Sequence, residues 1–485
     1  MIMSTNGLAS SNRISSALLF LTVAAAPFPF GSTAPVVVAF WCIILGVAAA
    51  ALSLKRLRPE HLPLVGLALI LTLAYAFVLH EQLAARPWIA SPHPLWKAAA
   101  DAMGAQVAPS ASIARNEPFL ALGPPLANLL SITCSFVICI ESARVRQLLR
   151  VVAWSGAGYA LYGIAAYLIQ PTHILWREAP PLRNLSSTFE NRNIAAVYFG
   201  VCAVLWLLFS LERLRQRAPI DGVFRSRSPR LLLFEFPGLS VVMLVVCLAA
   251  MVMTASRAGT VLSIGAVFLA AYGFFYRDLK RRRFLAAGLL VGAVAAFALF
   301  ELIAVDVVER FQIQGIGDPR RADVYRSILR MIADRPWFGT GLGTFVWSFP
   351  LYRSDFMMLG IWTFAHSTFL ELVSDLGIPL VGIITLAWCS ASIVLVQGVR
   401  RRRRNRIVPA AALAVLGLYI AHSFIDFAEQ IPGYAIVVFA LVGAGLAQSF
   451  SSSPGQWRAS REDELASRES RRSRSGTQTG NEQYA

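Results

Sequence analysis

Arginine and histidine are the side chains capable of chemistry that stand out in an otherwise apolar chain, and residues 306–397 bring seven arginines together with His366. That stretch carries Arg310, Arg320, Arg321, Arg326, Arg330 and Arg335, followed by Pro336-Trp337-Phe338-Gly339-Thr340-Gly341-Leu342-Gly343. It then reaches Phe364-Ala365-His366-Ser367 and Glu371, just before the next hydrophobic run. Planar guanidinium groups grip phosphate oxygens bidentately and stay charged in a partly dry site. Histidine accepts a proton from a hydroxyl near neutral pH. Side by side, these groups would suit a substrate bearing phosphate and a second substrate bearing a hydroxyl.

Other candidates lie at the ends of apolar runs. Arg257 sits in Thr254-Ala255-Ser256-Arg257-Ala258-Gly259-Thr260, with hardly any loop around it. An arginine at the membrane edge either serves a functional site or snorkels to the interface, and both readings stay open. Glu190-Asn191-Arg192-Asn193 stands where a span begins. There Asn191 or Asn193 caps the helix, or Arg192 and Asn193 bind substrate; helix N-terminal amides favour anions, so the two roles are compatible. Glu371 and Asp375 are four residues apart and share one side of a short helix expected over 367–376, with His366 at its start. His422, Asp426, Glu429 and Gln430 crowd a turn between two spans, either as a solvated turn or as a polar floor for a site. Ser91-Pro92-His93-Pro94-Leu95-Trp96 reads as a turn and a short interfacial helix, an anchor or a substrate contact.

The elements that must position these groups are membrane helices. Of 485 residues, 56% are hydrophobic and only 15% are charged, and mean hydropathy is +0.59. A water-soluble fold of this size could not hide that much apolar surface, so the class is an all-α polytopic membrane protein. About twelve transmembrane helices are expected, near 14–30, 35–54, 62–80, 119–140, 147–170, 194–211, 238–255, 259–276, 284–304, 379–397, 408–422 and 433–450. Gly377-Ile378-Pro379 interrupts an apolar stretch too long for one span, which sets 367–376 apart as a separate short helix. The organisation is a transmembrane domain over 1–450, with a large loop over 305–378, and a Ser/Arg/Glu-rich tail over 451–485 that reads as disordered.

The net charge of +17 is unevenly placed. Alternate loops, Arg13 and the tail hold 30 of the 44 Lys and Arg residues. The positive-inside rule puts these loops and both termini in the cytoplasm, and contact with anionic lipid explains the Arg400–Arg406 run better than nucleic acid does. Arg257, His366 and Asp426 then share the outer face. The six cysteines all fall in apolar runs without metal-ligand spacing, so no disulfide or metal site is expected. There is no P-loop, no dinucleotide fingerprint, no HExxH and no serine elbow. Nucleotides are not expected outside the cytoplasmic membrane, so an activated donor there would be lipid-linked, which points to sugar transfer from a polyprenyl diphosphate.

At these residues the chain resembles the O-antigen ligase/polymerase superfamily (Wzy-type). The resemblance rests on Ser256-Arg257-Ala258-Gly259, on Arg321 with Tyr325 and the Pro336–Gly343 motif, and on Ala365-His366-Ser367 with Leu376-Gly377. His422-Ser423-Phe424-Ile425-Asp426-Phe427 before Gln430-Ile431-Pro432 looks like the closing motif of exopolysaccharide-type members. The resemblance implies a GT-C-like fold in a bacterial inner membrane and metal-independent, inverting transfer without a cofactor. The implied donor is an undecaprenyl-diphosphate-linked glycan, and the implied acceptor is a glycan or lipid A-core. By position, Arg257 and Arg321 would hold the diphosphate. His366 would deprotonate or orient the acceptor hydroxyl, or else bond the diphosphate. Arg192, Asn193, Glu371 and Asp426 are the expected substrate-binding residues. A transporter of a lipid-linked or anionic substrate is the competing class, although transporters usually place their polar sites near the midplane. A scaffold working with polysaccharide-assembly proteins is the third.

Overall fold

The computed structural model describes residues 5–178, 184–217, 237–279, 319–353, 362–402 and 405–450. The described residues are overwhelmingly helical; their one sheet is a two-stranded hairpin, His173–Ile174 against Arg177–Glu178. In chain order the helices are α1 (Thr5–Ala25), α2 (Pro35–Ala50), α3 (Leu62–Leu83), α4 (Leu95–Met103), α5 (Glu117–Leu120), α6 (Gly123–Ile138), α7 (Ser142–Ile169) and α8 (Arg192–Arg217). There follow α9 (Pro237–Met253), α10 (Arg257–Leu279), α11 (Pro319–Asp334), α12 (Phe345–Ser348), α13 (Thr368–Leu376), α14 (Ile378–Arg401), α15 (Ile407–Ser423) and α16 (Pro432–Ala447).

Among the described residues, six helices are long and apolar enough to cross a membrane, and five shorter apolar helices accompany them. They coincide with eleven of the expected spans; the one expected near 284–304 lies outside the described residues, as do Arg310 and the tail over 451–485. The protein is an all-α polytopic membrane protein.

The bundle has a dry centre and a wide apolar perimeter. Along α16 all residues but Phe439 are buried, and α8 buries Tyr198, Phe199 and Trp206 completely. By contrast α3 leaves Leu69, Ile70 and Leu73 exposed, and α14 leaves Ile378, Leu386 and Ile393 exposed. Such faces would drive association in water, whereas acyl chains cover them in a bilayer.

The polar loop is folded rather than loose over its described part. The amphipathic α11 buries Val324, Ile328 and Met331 against Phe345, Phe349 and Ala365. The break expected at Gly377-Ile378-Pro379 is present: α13 ends at Gly377, with φ of 84°, and α14 restarts with Pro379 in its first turn, where a missing N–H costs nothing. All six cysteines are free thiols.

Candidate functional site

His366 is held from several directions. Its φ is +51°, a left-handed conformation rare for a residue with a side chain, so the surroundings must impose it. Tyr325 of α11 donates its hydroxyl to the His366 carbonyl at 3.1 Å. The preceding residue, Ala365, is pinned by its N–H to Glu371 Oε2 at 2.6 Å. The following residue, Ser367, is the N-cap of α13, its Oγ accepting from Leu370 N–H at 3.4 Å. The imidazole meets the rings of Trp362 and Phe427 edge-on, at centroid distances of 5.8 and 5.2 Å.

This clamping aims the ring at Asp426, in the turn between α15 and α16. His366 Nδ1 lies 3.2 Å from Asp426 Oδ1. Asp426 Oδ2 accepts from the Asn193 side-chain amide at 2.7 Å, and Oδ1 also accepts Phe427 N–H at 3.0 Å. Burial works against the Asp426 charge, but the bond from His366, the neighbouring His422 and the Asn193 amide outweigh it, and the carboxyl is held below its usual range. An ionised carboxylate only accepts hydrogen bonds, so His366 Nδ1 must carry the proton toward it. The opposite nitrogen, Nε2, is then left as an acceptor. Asp426 is 3% exposed and His366 34%, so the carboxylate is enclosed while the imidazole reaches the surface.

Of the two asparagines, Asn191 takes the capping role. Asn191 Oδ1 accepts Asn193 N–H at 2.8 Å and caps α8. Asn193 sends its own amide to Asp426. Arg192 opens α8 beside them and is half-buried.

Arg257 is the first residue of α10, also half-buried. The turn before it is fixed by Ser256 N–H on Thr254 Oγ1 at 3.2 Å and by Gly259 N–H on Ser256 Oγ at 3.3 Å. Gly259 explains the glycine of Ser-Arg-Ala-Gly: a Cβ there would lie 2.7 Å from Ala196 Cβ and 3.4 Å from the Asn193 carbonyl oxygen. The absent side chain lets α10 press against the start of α8, which sets Arg257 at the level of Asn193. Four segments therefore converge on one end of the bundle: 184–193, 254–259, 362–368 and 422–430. Arg321 lies in the first turn of α11, four residues before Tyr325; its side chain is outside the described residues.

Glu371 and Asp375 do share one face of α13, and that face is turned inward. Glu371 is 5% exposed and Asp375 3%. Burial raises Glu371 to about 7 despite its bonds from Ala365 and Gln430, and burial beside Glu371 raises Asp375 well above the usual carboxylate range. Asp375 Oδ2 accepts Gly343 N–H at 2.8 Å, and the carbonyls of Ser374 and Asp375 accept Thr340 and Gly341 N–H at 2.8 and 3.1 Å. From α3, Gln82 donates to the Phe338 and Asp375 carbonyls at 2.7 and 2.8 Å and accepts Leu342 N–H at 3.0 Å. The Pro336–Gly343 motif is thus a clamp between α13, α3 and the segment around Ser112, rather than a phosphate cradle open to solvent. Residue pattern alone does not single out Gln82 or its neighbour Glu81, which gathers Trp88, Ile89 and Ala90 N–H groups at 3.1, 2.8 and 2.7 Å. Two polar residues in the last turn of an apolar helix were the available signal.

The fold and this site define a multi-pass helical membrane protein with a histidine–carboxylate–amide chain at one end of its bundle. Residues 242–385 match the family model described as O-antigen ligase (Wzy_C), and the match supports the O-antigen ligase superfamily for this chain. The matched residues include Arg257, Arg321, His366 and Glu371; Asn193 and Asp426 lie outside them. No curated protein matches the chain.

Proposed function

We propose that the protein is a membrane glycosyltransferase of the O-antigen ligase/polymerase type. In this reading it transfers or polymerises glycan from an undecaprenyl-diphosphate donor at the periplasmic face of the bacterial inner membrane, both termini being cytoplasmic, and the 451–485 tail takes no part. The observation that carries the reading is the chain His366–Asp426–Asn193, with contacts of 3.2 and 2.7 Å, set beside the Arg257 turn.

The chemistry follows from the tautomer. The acceptor hydroxyl gives its proton to His366 Nε2 while its oxygen bonds to the anomeric carbon of the donor sugar. The anomeric carbon–oxygen bond to the diphosphate breaks, the electron pair leaves with the lipid diphosphate, and attack from the opposite side inverts the anomeric centre. Asp426 holds Nδ1–H and stabilises the imidazolium that forms, and Asn193 fixes Asp426. Arg257 and Arg321 stabilise the charge that grows on the diphosphate, the role a metal ion plays in other transferases. Arg192 stands at the α8 N-terminus, where an anionic group is favoured, and Glu371 serves the site by holding Ala365.

The test is glycan transfer by purified protein given a lipid-linked glycan, in EDTA. His366→Gln should retain donor binding while turnover collapses. Loss of donor affinity with turnover of the bound donor intact would assign His366 to the diphosphate instead. Uptake of the glycan into vesicles without transfer would replace the enzyme by a transporter.

A further inference from the structure

A second site lies away from His366, against the outer flank of α3 and α14. A half-enclosed cleft of about 600 Å³ opens there, within the range of ~300–1,000 Å³ usual for small-molecule sites. Its walls are apolar: Ala74 and Phe77 from α3, Leu380 and Ile383 from α14, with Ile89 and Phe338 above them. Asp334 and Arg335, opposite charges adjacent in the chain, stand on its rim. Tyr325, which bonds the His366 carbonyl, precedes Asp334 by nine residues on α11, about 14 Å at the rise of a helix. The cleft is therefore separate from the histidine site.

We propose that this cleft binds one zwitterionic aminophospholipid, with an acyl chain between α3 and α14, its phosphate at Arg335 and its ammonium group at Asp334. Three observations carry this. The cleft is continuous with helix faces that only lipid would cover, since Leu73 and Ile378 beside it are 60% and 53% exposed. Its rim has the aromatic character of a headgroup-level belt: Trp337 lines it and is 70% exposed, and Trp88 packs at a tilt against His80 nearby, at a centroid distance of 4.1 Å, and is 74% exposed. The paired charges match a headgroup carrying phosphate and ammonium together, whereas a purely anionic headgroup would meet Asp334 with like charge.

The rim is also built to stay in place. Arg335 donates to the Ser91 and Pro92 carbonyls at 3.1 and 2.8 Å, and Tyr352 donates to Asp334 Oδ2 at 2.9 Å. A bound lipid would strap the Pro336–Gly343 clamp to the bilayer and fix the depth of α11, whatever reaction the histidine site performs.

The experiment is native mass spectrometry of the delipidated full-length protein, titrated with dioleoylphosphatidylethanolamine, dioleoylphosphatidylglycerol and undecaprenyl phosphate. A one-to-one phosphatidylethanolamine complex is expected, with phosphatidylglycerol held about tenfold more weakly, the scale of one charge-assisted contact. Ile383→Trp should fill the acyl wall and weaken binding of either phospholipid. Asp334→Asn, at an exposed position, should erase the preference while leaving thermal unfolding of the protein unchanged. Equal retention of the two phospholipids, or an unaltered preference in Asp334→Asn, would overturn the headgroup assignment. Displacement by undecaprenyl phosphate at lower concentration would overturn the lipid assignment and give the cleft to the donor chain.

Discussion

At the Pro336–Gly343 clamp, the conspicuous polar groups are directed into the protein: Asp375 takes Gly343 N–H, Gln82 ties three backbone groups, and Glu371 holds Ala365. At His366 the arrangement is reversed. Asp426 is enclosed by Asn193, Phe427 and His366, and the imidazole it orients comes to the surface. Both regions take residues from the 305–378 loop and both are rich in unusual residues. They differ in which atoms remain for a substrate. The clamp spends its hydrogen-bonding groups on geometry, and the histidine chain keeps one acceptor nitrogen in reserve. Substitutions in the two regions should therefore fail in different ways, turnover in one and folding in the other.

The largest separation is expected from the histidine chain. His366→Ala should lower transfer by about 10²–10⁴, the usual range for a general base, with melting temperature nearly unchanged. Arg257→Lys keeps the charge but loses the planar fork, and should cost about 10²–10³ in rate. A melting temperature that falls in step with activity in both variants would place these residues with the clamp instead.

Asp426→Asn tests whether the chain acts as a unit. The amide keeps the shape but can donate as well as accept, so His366 Nδ1–H is no longer enforced. Turnover should fall by about 10²-fold or more, within the general-base range, and the pH–rate profile should shift because the imidazolium loses its counter-charge. Unchanged turnover with an unchanged profile would reduce Asp426 to a turn residue.

Gly339→Ala addresses the clamp. Gly339 has φ of +67°, and a Cβ there would lie 2.4 Å from the Asp375 carbonyl oxygen, a backbone atom that cannot swing aside. Strain of roughly 1–3 kcal/mol from the backbone and a similar amount from overpacking are expected. Folded yield and melting temperature should drop, while the turnover per folded molecule stays within a few-fold of wild type.

How far these roles could be read from residues alone depends on the range of the interactions. The spans were legible because twenty apolar residues in a row have few other fates, and the α13–α14 break was legible because Gly377 and Pro379 act locally. Asn191, as a cap, is also a local feature. The direction in which Glu371 and Asp375 face was not legible: four-residue spacing puts them on one side of α13, but only packing against α3 and the 340–344 turn decides that this side is buried. Asn193 is legible as a polar residue where a span begins, and Asp426 as one in a turn between two spans. Their mutual bond spans 233 positions in sequence, and periodicity cannot report such a pairing. Gly259 stands between these cases, since a glycine in a helical pattern signals close approach without naming the partner.

The smallest effect, and the finest test of the comparison, concerns pH. Glu371 is raised to about 7 chiefly by burial, so the folded protein binds its proton more tightly than the unfolded chain does. The stabilisation from that proton is fully present below the ordinary carboxylate range and is lost as pH rises through about 7. Asp375 is raised in the same direction, by burial beside Glu371, and adds to the same loss. Thermal unfolding followed from pH 5 to pH 8 should therefore show wild-type stability declining. Glu371→Gln can still accept Ala365 N–H through its amide oxygen but has no proton to lose, so its curve should be flatter across the neutral window. Because His366 and Asp426 are untouched, the pH–rate profile of transfer should keep its wild-type midpoint. A Glu371→Gln curve parallel to wild type would show that the carboxyl is ionised throughout, and a displaced kinetic midpoint would join Glu371 to the histidine chain rather than to the clamp.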